Sequence, residues 1–79
     1  METKNLTEIS RGKTAVVVEI SGGHEFKERV DSMGLRVGSR IVKLSAQAMK
    51  GPVTIKIGNT KLAIGHGMAK KILVDGKNS

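Results

Sequence analysis

Two neighbouring stretches in the second half of the chain alternate apolar with polar residues, which is the pattern of a β-hairpin. The first runs from Val53 to Ile57 and the second from Thr60 to Ile64. They flank Gly58-Asn59, a two-residue loop that favours a type II′ turn because glycine accepts the positive φ this turn requires at its first central position. The sequence therefore predicts a hairpin over 53–64.

The short loop also predicts the register of this hairpin. If Ile57 lies opposite Thr60, the apolar residues of both strands share one face, because side chains alternate along a strand. The pairs on that face are Ile55 with Leu62 and Val53 with Ile64. Lys56 and Lys61 then project from the other face, so one side of the hairpin faces a core and the other faces water.

The first half of the chain predicts one further strand and one helix. Thr14 to Ile20 is rich in β-branched residues, and Val16, Val18 and Ile20 are expected to share one face of a strand. Phe26, Val30 and Met33 follow at helical spacing. They predict an amphipathic helix over 25–33 that ends at Gly34.

The remaining elements are short. Ser39 to Leu44 and Ile72 to Val74 are expected to be strands, and Leu6 to Ser10 and Met68 to Lys71 each have room for one helical turn. Altogether the pattern predicts a mainly β fold, with about five short antiparallel strands and one short amphipathic helix. The economical arrangement is a strongly bent sheet that closes into a small barrel capped by the helix.

The length and composition limit the number of domains, the cellular location and the kinds of function that we expect of this chain. Seventy-nine residues provide one modest core, so we expect a single domain over 1–79 with its core at about 5–75. The sequence has no Cys, and we therefore expect a cytoplasmic location. The longest apolar run is Ala15 to Val18, far short of the ~20 residues that span a bilayer, so no direct membrane insertion is expected.

Charge is distributed unevenly along the chain. Residues 1–35 hold five Lys or Arg and six Asp or Glu, whereas residues 36–79 hold nine and one, a net charge of +8 for the second part. Such asymmetry suggests an anionic partner. The candidate partner-binding residues are Lys56, Lys61, Arg36, Arg40, Lys43 and Lys50.

Three classes of anionic partner fit such a charge, namely a nucleic acid, an anionic lipid surface and an acidic protein face. Small barrels that bind single strands stack bases on aromatic side chains, and this chain has one Phe and neither Tyr nor Trp. We therefore expect no nucleic acid and keep a basic nucleic-acid-binding barrel as the alternative function.

No arrangement of residues indicates catalysis, and no cofactor is indicated. His24 and Glu28 are spaced i, i+4 on the predicted helix, with Glu25 nearby and His66 between two glycines. A metal carrier that uses His24, Glu28 and His66 is one hypothesis, and a solvated helix start is the other. The sequence does not assign a metal site.

An ordered series of motifs resembles the FeoA family over about residues 5–75. The quoted segments are Met33-Gly-Leu-Arg-Val-Gly38, Arg40-Ile-Val-Lys-Leu44, Gly51-Pro-Val-Thr-Ile-Lys-Ile-Gly58, Leu62-Ala-Ile64 and Ala69-Lys-Lys-Ile-Leu-Val74. The resemblance implies an SH3-like barrel and a cytoplasmic, non-enzymatic accessory protein of bacterial ferrous iron uptake.

The same resemblance implies a partner and a role for the glycines. The partner is FeoB, a membrane transporter with a GTP-binding domain, and this chain is expected to act on it as a monomer or weak dimer. Gly34 is expected to end the helix in the left-handed region and Gly38 to begin the next strand at a sharp corner. Together with Gly58 and Asn59 they are interpreted as structural turn residues.

Overall fold

A computed structural model describes residues 2–45 and 51–76, and within these residues the chain forms six strands and two short helices. The mainly β class and the amphipathic helix are as predicted, the first strand is additional, and the helical turn expected at Met68 to Lys71 is a short helix that begins two residues earlier. The elements are β1 (Thr3–Asn5), β2 (Thr14–Ile20), α1 (His24–Ser32), β3 (Arg40–Lys43), β4 (Val53–Ile57), β5 (Thr60–Ile64), α2 (His66–Ala69) and β6 (Ile72–Asp75).

The strands form one antiparallel sheet in the order β1-β6-β2-β3-β4-β5. Strand β2 connects the two parts of this sheet, because residues 14–16 pair with β3 and residues 17–20 pair with β6. A strand that pairs with different neighbours along its length forces the sheet to bend around it. The sheet therefore curves into a barrel-like shape around a common core.

A register shift in β2 determines which of its side chains reach that core. Ala15 and Val17 are buried, and the pairing with β6 shifts by one residue between Val17 and Glu19. An extra residue on one strand changes which face the following side chains occupy. Ile20 consequently packs against the core as well. The single face expected for Val16, Val18 and Ile20 is therefore interrupted by the register shift.

The core is aliphatic and draws on nearly every element. Each of its larger side chains contributes about 1.5–3 kcal/mol to folding when fully buried. Phe26 and Met33 lie partly buried against this core beside the fully buried Val30, as the helical spacing predicts. The fully buried large side chains are Leu6, Val17, Val30, Leu35, Ile41, Ile55, Ile64, Ile72 and Val74.

The hairpin β4–β5 has the predicted register. Ile57 pairs with Thr60, and the pairs Ile55 with Leu62 and Val53 with Ile64 follow. Gly58 has φ of 57°, the left-handed value that both common two-residue hairpin turns need at this position. The structure thus confirms that the two lysines of the hairpin share the face opposite the core.

Helix α1 ends in a Schellman motif that directs the chain back to the core. Gly34 has φ of 90° and donates its N–H to the carbonyl of Asp31 at 2.9 Å, while Leu35 donates to the carbonyl of Val30 at 3.2 Å. These two bonds satisfy carbonyls that the helix end would otherwise leave without partners. The motif places Leu35 in the core directly after the helix.

Candidate functional site

Three basic side chains share the solvent face of strands β3 to β5. Lys56 lies directly opposite Lys61 in the hairpin, and Val42 of β3 pairs with Lys56 on its other side. Arg40 stands two residues before Val42 and so points to the same face. We call Arg40, Lys56 and Lys61 the basic face.

The charges of the basic face are not neutralised within the described part of the chain. Arg40 and Lys61 are exposed and Lys56 is half-buried. None of the three forms an ion pair with another described residue, and strands β3 to β5 contain neither Asp nor Glu. Strands β3 to β5 therefore present three cations without a carboxylate of their own, an arrangement that attracts an anionic partner, and Asp75 of β6 is the acidic residue that lines a shallow hollow together with Arg40.

Lys43 was predicted to belong to this basic surface, and the structure corrects that prediction. Its residue is only 3% exposed, because in β3 it lies on the same face as the buried Ile41. Its Nζ donates hydrogen bonds to the carbonyl oxygens of Ile9 at 2.8 Å and Thr7 at 3.3 Å. Burial lowers the pKa of Lys43 from its ordinary value of 10.5 by penalising the charged form.

Arg36 lies apart from the basic face. It follows helix α1, and its Nε donates to Oδ1 of Asp31 at 2.7 Å across an exposed ion pair. Lys50 lies outside the described residues. The structure thus brings together three of the six basic residues that the sequence singled out, places Lys43 in the interior and places Arg36 on a different surface.

Arg36 lines a groove between α1 and β2 that no pattern in the sequence predicts. The groove has a volume of about 450 Å³ and has apolar walls from Val18, Ile20, Leu35 and Val37. Val37 is 62% exposed, and among the residues that the structure describes it is the one large apolar residue that is exposed. In the sequence, the position of Val37 between Arg36 and Gly38, inside a tight turn, is the signal that this apolar side chain is exposed.

The His24–Glu28 pair lies at the rim of this groove. Nε2 of His24 is 2.9 Å from Oε1 of Glu28, and both side chains are exposed, as their i, i+4 spacing on α1 predicts. His66 lies on α2, on a different element. Across residues 2–45 and 51–76, no three His, Asp or Glu side chains are grouped so that they could hold a metal ion, so the structure does not assemble the carrier site hypothesised from His24, Glu28 and His66.

The predicted turn residues lie at the corners of this arrangement. Gly38 has φ of 97° and donates its N–H to the carbonyl of Val17 at 2.7 Å, which attaches the turn before β3 to β2. Gly58 and Asn59 form the end of the hairpin that carries two residues of the basic face. These turns therefore position the strands whose outer side chains form that face.

Comparison with known protein families identifies one match that spans nearly the whole chain. The model of the FeoA domain matches residues 4–76. A protein of Methanocaldococcus jannaschii assigned as an Fe(2+) transport protein A is 36% identical over 64 residues, which cover 81% of this chain and 76% of that protein. Both findings agree with the resemblance seen in the motifs.

Solved structures show the same fold. The crystal structure of an iron uptake regulatory protein, FeoA, superimposes with a TM-score of 0.83 at 35% identity, covering 95% of this chain and 97% of the other. A manganese-dependent transcriptional repressor gives a TM-score of 0.85 at 23% identity, and this chain spans 41% of it.

In the part of the chain that the structure describes, no helix has the length and apolar character to cross a membrane.

Proposed function

Because the chain belongs to the FeoA domain family, we propose that it is a non-enzymatic accessory protein of ferrous iron transport that acts by binding a FeoB-type transporter. The observation that supports docking is the basic face, whose three cations have no acidic neighbour on strands β3 to β5. An acidic surface on the cytoplasmic part of the transporter is the complementary partner. The protein then works in the cytoplasm as a monomer or weak dimer.

The basic face suits this role because it lies at one end of the sheet. Lys56 and Lys61 project from a hairpin whose outer strand, β5, terminates the strand order. Charges at the edge of a domain meet a partner without disturbing the core, and they mainly accelerate association and select the partner. Binding through this face is therefore expected to weaken as ionic strength rises.

Charge reversal tests the docking surface. The double variant Lys56→Glu/Lys61→Glu changes two positive charges into two negative ones, and we expect at least tenfold weaker binding to the cytoplasmic part of the transporter from the same organism. The measurement is isothermal titration calorimetry at low salt. Circular dichroism of the variant checks that the fold is retained.

A matched control separates local from overall charge. Lys27→Glu/Lys70→Glu alters the net charge by the same amount at exposed positions on α1 and directly after α2. We expect this control to bind nearly as tightly as the unaltered protein. Equal losses in both double variants would mean that overall charge, and not the basic face, governs binding.

The transport role has its own test in cells. Deleting the gene for this chain is expected to reduce anaerobic uptake of labelled ferrous iron, and restoring the chain is expected to recover it. Restoration with Lys56→Glu/Lys61→Glu should fail to recover uptake if docking through the basic face is required. Uptake that stays normal after deletion would reject the transport role.

Nucleic-acid binding is the alternative, since a cationic face also attracts phosphates. The composition and the position of the one aromatic residue favour a protein partner. Phe26 is the sole aromatic side chain of the sequence, and it lies on α1, partly buried, with Nζ of Lys71 5.1 Å from its ring centre. The basic face therefore lacks the stacking platforms that single-strand binders use. Titration with single-stranded oligonucleotides over a range of salt concentrations tests this alternative directly.

A further inference from the structure

Strand β5 has an open edge. It is the last strand of the sheet and pairs over all five of its residues with β4. In the described chain no other element donates to or accepts from its backbone along that edge. An unpaired edge presents a row of backbone donors and acceptors that another extended segment can join.

The hairpin geometry identifies which groups face outward. Residues of an antiparallel pair alternate between those that exchange both hydrogen bonds and those that exchange none. A two-residue loop closes on a bonded pair, here Ile57 with Thr60. Lys61 and Ala63 therefore exchange no backbone hydrogen bonds with β4. Their N–H and C=O groups point outward, away from the sheet.

The side chains along β5 specify what kind of strand fits beside them. Lys61 belongs to the basic face, whereas Leu62 is half-buried and packs against the core on the opposite face. Ala63 is exposed and small, so it leaves room for a larger side chain opposite. An added strand thus meets a cationic surface on one side and an apolar surface on the other.

We infer that β5 receives an extended acidic segment of a partner protein as an additional antiparallel strand. This inference rests on the proposed function and specifies how the partner is bound. In the added strand, acidic residues lie opposite Lys61 and Ala63, and an apolar residue lies opposite Leu62. Backbone hydrogen bonds supply affinity, and the alternating side chains supply selectivity.

A second copy of the chain fits this edge poorly. Each chain carries a net charge of +7, and pairing two β5 strands would place two basic faces side by side. Like charges across neighbouring strands are destabilising. An edge lysine is a common device against self-pairing, and the same charge attracts a strand with carboxylates at alternate positions.

The first experiment uses a short peptide and leaves the protein unaltered. The probe is the acetylated and amidated peptide Thr-Glu-Val-Glu-Val-Glu-Thr, titrated into ¹⁵N-labelled protein while amide chemical shifts are recorded. In antiparallel pairing the glutamate amides face β5 and the valine amides face away. N-methylation of the glutamate nitrogens should weaken binding at least tenfold, and N-methylation of the valine nitrogens should weaken it less than threefold.

The peptide results separate strand pairing from simple charge attraction. Shifts concentrated at 60–64 that disappear with the glutamate-methylated peptide support the inference. Equal affinity for all three peptides would show that only charge is recognised and would overturn it. Absence of any shift on β5 would overturn it as well.

The second experiment alters the protein and uses the transporter's cytoplasmic part. Ala63→Pro removes the outward N–H without removing a hydrogen bond to β4, and Ala63→Ser retains that N–H at similar size. We expect at least tenfold weaker binding for Ala63→Pro and less than threefold for Ala63→Ser. If the transporter binds both variants equally, strand pairing is wrong and the proposed function stands. If the peptide pairs with β5 while the transporter fragment does not bind the unaltered protein, the edge is supported and the proposed partner is wrong.

Discussion

The ammonium nitrogen of Lys43 lies 2.8 Å from the carbonyl oxygen of Ile9, which joins strand β3 to the turn after β1 across a separation of 34 residues. The same nitrogen donates to the carbonyl of Thr7. A buried lysine is costly unless its donors have partners. Here the carbonyl oxygens of an irregular turn provide those partners, and in return the turn is held against the barrel.

Lys43→Met removes this donor and leaves two carbonyls without their hydrogen bonds. We expect the free energy of unfolding to fall by about 1–3 kcal/mol, the usual cost of an unsatisfied buried polar group. Urea denaturation measures the change. Lys13→Met at an exposed neighbouring position is the control, with an expected change below about 0.5 kcal/mol. Equal stability of the two variants would show that the Lys43 hydrogen bonds contribute little.

Stability should also depend on pH through Lys43. Its pKa in the folded protein is lowered from 10.5 by burial. Between the lowered pKa and 10.5 the unfolded chain binds a proton at Lys43 that the folded protein has lost. The free energy of unfolding therefore rises with pH across this window.

The measurement compares the unaltered protein with Lys43→Met by urea denaturation from pH 8 to 10.5. Other lysines titrate in both proteins, so the difference between the two curves isolates Lys43. We expect the unaltered protein to gain stability relative to the variant as pH rises. A constant difference over this range would contradict the assigned burial of the charge.

Gly34→Ala places a side chain at φ of 90° in the motif that ends α1. The open space around this position does not relieve the backbone strain, because the φ value itself disfavours a Cβ atom. We expect a loss of about 1 kcal/mol or more in the free energy of unfolding. Gly67→Ala in α2, where a Cβ atom meets open space and φ is not positive, is the control and should be neutral or slightly stabilising.

Lys61→Glu is expected to stabilise the fold while it weakens docking. Lys61 faces Lys56 directly across the hairpin, and replacing a like-charge pair with an opposite pair contributes roughly 0.2–1 kcal/mol. Thermal unfolding at low salt measures this gain. The double variant Lys56→Glu/Lys61→Glu restores a like-charge pair and should lose the gain. Loss of stability in the single variant would show that the two side chains do not interact.

The hairpin and the helix could be predicted from the sequence because their signals are local. A two-residue loop fixes the register of β4 and β5, and helical spacing identifies the buried side of α1. Strand β1 was missed because it contains three polar residues and forms only by pairing with β6, near the other end of the chain. The register shift in β2 likewise depends on β6.

The position of Lys43 shows what the sequence could still have revealed. In Arg40-Ile-Val-Lys43 the alternation that buries Ile41 also points Lys43 inward. Residue type alone assigned it to the surface, since lysine is rarely buried. The partner carbonyls that permit its burial come from a turn more than thirty residues earlier, and such long-range partners are invisible to a local pattern.

The pairing of β1 with β6 brings the first and last strands of the described chain side by side. Thr3 lies opposite Asp75, and Gly76 donates its N–H to the carbonyl of Glu2 at 2.8 Å, so the chain enters and leaves the sheet at one corner. A unit with adjacent ends can be appended to, or inserted into, a longer polypeptide without opening its core. The same fold accordingly occurs within a longer chain, the manganese-dependent transcriptional repressor of which this chain spans 41%.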